Sequence, residues 1–151
     1  MARMHKSRRG KSGSKKVYRT SPPEWVEVSK EELEKKIVEL YNEGLEPSKI
    51  GMVLRDRYGI PSVKQITGKR LLDILKDNGI TMKYPEDLKA LIRNALKLRR
   101  HLEVHKKDLH NRRSLQLIEA KIWRLSSYYK EKGVLPADWS YDPEKLRVEL
   151  S

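Results

Sequence analysis

Apolar residues recur along this chain at helical rather than strand spacing. Leu33, Ile37, Val38, Leu40 and Tyr41 run at helical spacing until Gly44 interrupts them. Ser29, with Glu32 three residues on, supplies a capping box at the front of this stretch, so a helix is predicted over about 30–43. Pro47 suits a first helical position, and Ile50, Val53 and Leu54 give a second, shorter helix one apolar face before Tyr58-Gly59 closes it. After the turn Ile60-Pro61-Ser62, a third segment is expected to start at Thr67 or Gly68, carry Leu71, Leu72, Ile74 and Leu75 inward, and end at Asn78-Gly79. Pro22-Pro23-Glu24-Trp25 forms a rigid entry to this group, with Trp25 as an anchor on its helices.

A second pattern begins at Tyr84-Pro85-Glu86-Asp87, where a proline near the helix start is followed by two acids that suit the positive end of a helix dipole. Leu88, Leu91, Ile92, Ala95, Leu98 and Leu102 form the apolar stripe of a helix of about twenty residues. Leu115, Ile118, Ile122, Leu125 and Tyr129 then alternate steps of three and four up to Gly133, the spacing of a coiled-coil-like seam. A connection near 106–111 is short enough to require that the two long helices pack antiparallel. Pro136, Asp138-Trp139 and Asp142-Pro143-Glu144 predict a turn and one terminal turn of helix. The expected fold is all-α. A basic tail over 1–21 precedes a small three-helix module over 22–82, and a long antiparallel helical hairpin with a short C-terminal helix occupies 83–151.

Charge adds a partner to this picture. The 151 residues carry 34 Lys and Arg against 21 Asp and Glu, a formal +13. The excess is uneven, since residues 1–21 contain eight bases and no acid, 22–82 are nearly balanced, and 83–151 hold sixteen bases against ten acids. Such segregation suits an extended polyanion, and nucleic acid first. Arg3, Lys6, Arg8, Arg9, Lys11, Lys15 and Lys16 alternate with Gly and Ser in the tail, a composition that does not fold alone and can thread along phosphates. The chain has no cysteine, which excludes disulfides, thiol nucleophiles and thiolate-bound zinc. No apolar run approaches the roughly 20 residues of a membrane span, and the first residues lack a secretory signal, so a soluble intracellular protein is expected.

On the first long helix Lys89, Arg93, Lys97 and Arg100 follow one face toward Lys107, and Arg99, Lys106, Lys121 and Arg124 widen the band. Between 89 and 113 nine bases face only Glu103 and Asp108, whereas an ordinary solvated face interleaves acids at i,i+4. The hairpin tip, His101-Leu-Glu-Val-His105-Lys-Lys-Asp108-Leu-His110-Asn111-Arg112-Arg113-Ser114, gathers three of the four histidines. His101 and His105 could ligate a metal with Asp108 or His110, but the order is not His-Glu-x-x-His and the flanking cations repel a dication, so no metal is expected. A hydrolase using Ser114 or Asp108 beside histidine lacks any second motif for an oxyanion or cofactor. Asp108 or Asn111 is a natural N-cap for the second long helix, and a cap residue can still present lone pairs outward. Mixed donors and acceptors ringed by cations fit the shallow minor groove of A-form RNA, where ribose hydroxyls and guanine amines are displayed. The alternative is a free helix-turn-helix DNA reader with Lys69 to Lys76 as its recognition helix, although residues 22–82 carry one more acid than base.

HLEVHKKDLHNRRS followed by LIEAKIWRLSSYYKEKGVLP resembles the helical hairpin of the small-subunit ribosomal protein S-fifteen family. MARMH, SPPEW, GLEPSKIGMVLRDRYGIP, TGKRLLDIL and YPEDL are similar to its longer archaeal and eukaryotic branch, so the resemblance spans essentially the whole chain. It implies a non-enzymatic, cytoplasmic constituent of the small ribosomal subunit without cofactor, membrane or small-molecule substrate. Its partners would be small-subunit rRNA, at a junction of three RNA helices in the central domain, and neighbouring ribosomal proteins. The family pattern places His101 and Asp108 at a base-pair motif in a minor groove, with His105 nearby and Asn111 where bacterial members have serine. Tyr128 falls at the aromatic contact to the junction backbone. At the start of the first long helix Met82-Lys83-Tyr84-Pro85 and Asp87 replace the bacterial Thr-Gly-Ser element and glutamine, which would shift contacts there to Lys83, Tyr84 and Lys89.

Overall fold

The structure, a computed structural model, describes residues 21–150. The tail residues Arg3, Lys6, Arg8, Arg9, Lys11, Lys15 and Lys16 lie outside the described residues. Seven α-helices and no strand occur among the described residues. They divide into two compact units, with the division in the chain between Met82 and Lys83.

The first unit holds α1 (Lys30–Asn42), α2 (Pro47–Tyr58), α3 (Val63–Thr67) and α4 (Leu71–Asp77). Ser29 and Glu32 form the expected reciprocal capping box. Leu33, Ile37, Leu40, Ile50, Leu54, Ile60, Ile74 and Leu75 make the core. The unit therefore has four helices where three are predicted. Thr67 and Gly68 do not open a helix but end one: the Thr67 hydroxyl donates back to the Val63 carbonyl, and Gly68 takes the left-handed φ of +78° as the C-cap of α3. The added turn directs Val63 and Ile66 against the core, a burial that a five-residue run with no periodic partner does not advertise. Trp25 donates its indole N–H to the Gly59 carbonyl at 3.0 Å, while its ring stays 63% exposed, so it straps the entry segment to the end of α2 without entering the core.

The second unit holds α5 (Glu86–Val104), α6 (Leu109–Glu131) and α7 (Pro143–Leu150). Leu88, Ile92 and Ala95 of α5 close on Ile122 and Leu125 of α6, and Leu135 and Leu146 complete the cluster. Polar pairs verify the antiparallel sense. Asp87 meets Tyr129, Arg99 meets Glu119, and His101 meets Asp108 and Asn111, so successive positions on α5 meet earlier and earlier positions on α6. Gly133, at φ +66°, ends α6, and Val134 and Leu135 return their N–H groups to the Tyr129 carbonyl. The chain then folds back as α7, which is eight residues rather than a single turn. Leu146 is buried, Arg147 stands 3.7 Å from Glu103, and Glu149 accepts from Lys83 and Tyr84.

Leu54 is fully buried in the first unit, and Leu54→Ala should lower unfolding free energy by about 2–5 kcal/mol, the usual cost of a leucine-sized cavity. Urea denaturation followed by circular dichroism measures it, and a loss well under 1 kcal/mol would mean the core closes around the gap.

Candidate nucleic-acid interface

The tip is built from the last turn of α5, the link 105–108, and the first turn of α6. Asp108 is the N-cap of α6: one carboxylate oxygen accepts from the Asn111 backbone N–H at 2.9 Å. Its other oxygen, Oδ2, accepts from His101 Nε2 at 2.9 Å and from Asn111 Nδ2 at 2.7 Å. A carboxylate only accepts, so the imidazole proton sits on Nε2 and a neutral His101 keeps Nδ1 as its acceptor. The same logic orients the Asn111 amide, whose nitrogen is spent on Asp108 while Oδ1 remains an acceptor. The Asn111 backbone N–H, and after it the His101 and Asn111 side-chain donors, hold the Asp108 carboxyl far below the usual carboxylate range. His105 stacks on His101 with ring centroids 4.5 Å apart. Arg112 donates to the Lys106 carbonyl at 2.9 Å and steadies the link, which leaves Lys106 and Lys107 on the surface around the network. Val104 and Leu109 stand 75% and 70% exposed at the same apex.

Among the described residues no three His, Asp or Glu side chains converge as metal ligands. No helix among them is long and apolar enough to cross a membrane.

The other expected site residues separate into two surfaces. His110 and Tyr128 lie on one face of α6, with Lys121 and Arg124 between them at helical steps of eleven, three and four. Tyr128 is 50% exposed and its ring rests against Tyr129, whose hydroxyl donates to both oxygens of Asp87. Burial, and then the Asp87 carboxylate, push the Tyr129 phenol above its ordinary value. Lys89, Arg93, Lys97 and Arg100 follow a different line, along α5, where the last three border an open groove against α7. Arg100 and His101 are consecutive, hence about 100° apart around the helix, and the groove and the tip share no lining residue. Arg113 donates to Gln116 on the first turns of α6.

Two sequence expectations change at the start of α5. Tyr84 is a core residue, 9% exposed, packed edge-on to Trp139 and donating its hydroxyl to Glu149 at 2.7 Å, so its hydroxyl already has a partner inside the fold. Lys83 is paired with the same carboxylate at 2.8 Å, which offsets the charge it was expected to offer. The cause is α7: its return is a tertiary contact that no local spacing announces. Arg147, which reaches the groove by the same return, is likewise absent from the sequence reading. In the first unit Lys69 is engaged by Asp77 across the short α4, which weakens the candidate DNA-reading segment.

Residues 1–60 match the family described as Ribosomal S13/S15 N-terminal domain, and residues 69–149 match Ribosomal protein S15. The chain is 48% identical over all 151 residues to the small ribosomal subunit protein uS15 of Methanocella arvoryzae. It is 49% identical over the same length to the protein of that name from Methanospirillum hungatei. In each case it covers 99% of the relative.

Because Asp108 is held ionised in the folded state, its contribution to stability is complete above its ordinary value of 3.8 and is lost as pH falls below it. Thermal unfolding of wild type and Asp108→Asn between pH 2 and 6 should show a steeper acid loss in the wild type; parallel curves would remove the carboxylate from the closure of the hairpin. With both parts of the chain matched and full-length relatives at nearly half identity, the chain belongs to the ribosomal protein S15 family.

Proposed function

We propose that this protein is a structural constituent of the small ribosomal subunit that binds small-subunit rRNA through its helical hairpin and holds a three-helix junction of the central domain in place. The observation that carries the reading is the closed His101, Asp108 and Asn111 network at the apex, rigid and ringed by cations. A reader of a shallow A-form minor groove needs fixed acceptors for guanine amines and ribose hydroxyls, and these must be ordered before binding. Asn111 Oδ1 and the remaining lone pair of Asp108 Oδ1 are such acceptors. His105 and His110 flank them. Lys107, Arg112 and Arg113 supply flanking phosphate contacts that set position without reading sequence. Farther along α6, Arg124 and the half-exposed Tyr128 would meet the RNA backbone, the tyrosine by stacking or through its hydroxyl.

The mechanism is scaffolding. A duplex presented to the tip is accepted only where its groove offers donors to the preformed acceptors, and the cations lower the repulsion between converging strands. Asp87 does not oppose this. Its charge is spent on the Tyr129 hydroxyl and on the Leu88 N–H, inside the hairpin base.

Asp108→Ala should lower the preference for the cognate junction over an unrelated duplex by about 1–3 kcal/mol, because it removes one acceptor and frees the two side chains that it orders. Lys107→Ala should weaken both RNAs alike and lower the slope of log affinity against log salt by about one. Filter binding at several salt concentrations measures both. Identical behaviour of the two variants would abolish the division between reading and positioning.

A further inference from the structure

Of the four asparagines in the chain, only Asn78 is followed by glycine. That order is chemically labile, because glycine carries no side chain to hinder attack by its nitrogen on the preceding amide. The Gly79 nitrogen gives up its proton and bonds to Cγ of Asn78, the Cγ–Nδ2 bond breaks, and the side-chain nitrogen leaves as ammonia. Water then opens the succinimide at either carbonyl, which leaves aspartate or isoaspartate. Asn78 is exposed, so water reaches it.

The end of α4 needs both residues. Gly79 takes the left-handed φ of +78°, where a side chain is strained, and donates its N–H to the Lys76 carbonyl at 2.9 Å. Asn78 is the C-cap, and its Nδ2 donates to the Ile74 carbonyl at 2.8 Å. Ile80 returns its N–H to the Leu75 carbonyl and packs against the core that Ile74 and Leu75 help to build. A helix stop made this way carries the labile pair with it, and the same bonds guard the pair. The attacking nitrogen is committed to Lys76, and the leaving amide to Ile74. At ψ 14° Asn78 turns the Gly79 nitrogen toward its own backbone nitrogen and away from Cβ, so the five-membered ring closes only after this end of α4 opens.

The product cannot restore what the amide supplied. A carboxylate accepts and does not donate, so the bond to Ile74 is lost and a negative charge stands at the negative end of the helix dipole. Asn78 also lines a surface groove with Glu31, Glu34 and Glu39 of α1, where Lys35 is the one base of the lining. Deamidation adds a fourth acid there. Isoaspartate further inserts one carbon into the main chain, which moves Ile80 out of step with Leu75.

We propose that Asn78-Gly79 is a spontaneous deamidation site guarded by the α4 cap: it converts when that end of the helix opens, and the charged product then keeps the end open. The first unit therefore ages by an irreversible step that water alone drives. RNA binding plays no part in it.

The test incubates the full chain at mildly alkaline pH in native buffer and in concentrated urea. Peptide mass mapping follows each asparagine, and enzymatic carboxyl methylation detects isoaspartate. Asn78 should convert in both, more slowly in native buffer by about tenfold or more, because only the opened fraction reacts. Equal rates would mean that the cap guards nothing, and an intact Asn78 in urea would remove the site. Asn78→Asp reproduces one product and tests the consequence. Hydrogen exchange at residues 78–80 should quicken by about tenfold or more and stay at the wild-type rate along α5 and α6. Unchanged protection at 78–80, or a loss of protection that extends to α5 and α6, would overturn the claim that the new charge holds this helix end open.

Discussion

The hairpin closes on one carboxylate. Asp108 caps α6 through the Asn111 N–H and at the same time holds His101, in the last turn of α5, so a single side chain joins the two ends that must turn back on each other. Arg112 braces the link of four residues through the Lys106 carbonyl, but the apolar seam below it can slide by a turn unless something sets its register. Asp87 and Tyr129 perform the same service at the opposite end of the rods. Between these two polar clasps Leu88, Ile92, Ala95, Ile122 and Leu125 supply the burial. The clasps decide which turn faces which.

That arrangement also settles where acid can be tolerated in a protein whose partner is a polyanion. Asp108, Asp87 and Glu149 each lie near expected contact residues, and each has its charge met inside the fold, by His101 and Asn111, by Tyr129 and Leu88, or by Lys83 and Tyr84. Glu119 is matched in the same way by Arg99. The near balance of charge in residues 22–82 leaves the N-terminal unit as a different kind of surface. An all-helical hairpin suits this sorting because each long helix presents separate faces to a core, to a partner helix and to the outside.

Much of the fold could be read from spacing alone. The capping box at Ser29, the seam from Leu115 to Tyr129, the stop at Gly133 and a cap at Asp108 are local features, set by hydrogen-bonding geometry and helical period within a few residues, and they appear in the structure where the residues stand. The short helix Val63–Thr67 did not announce itself, because five residues hold too little periodicity to separate a helical turn from a loop. For the candidate site, residue types and clustering were legible, since histidines, an acid and cations gather at one turn.

Pairing was not legible. Which His101 nitrogen carries the proton, where the Asn111 amide oxygen is left, and the loss of Tyr84 to the core all depend on contacts between segments far apart in the chain. The amino-acid order by itself determined an all-α chain, its main helix ends, its basic regions and the chemistry of its apex. Tertiary structure alone decided that α7 returns to α5, bringing Glu149 to Lys83 and Arg147 to the basic row. The reason is physical: helical period and caps act over one or two turns, whereas the docking of a short amphipathic helix is chosen by whichever distant surface buries Leu146 with the fewest unmet charges.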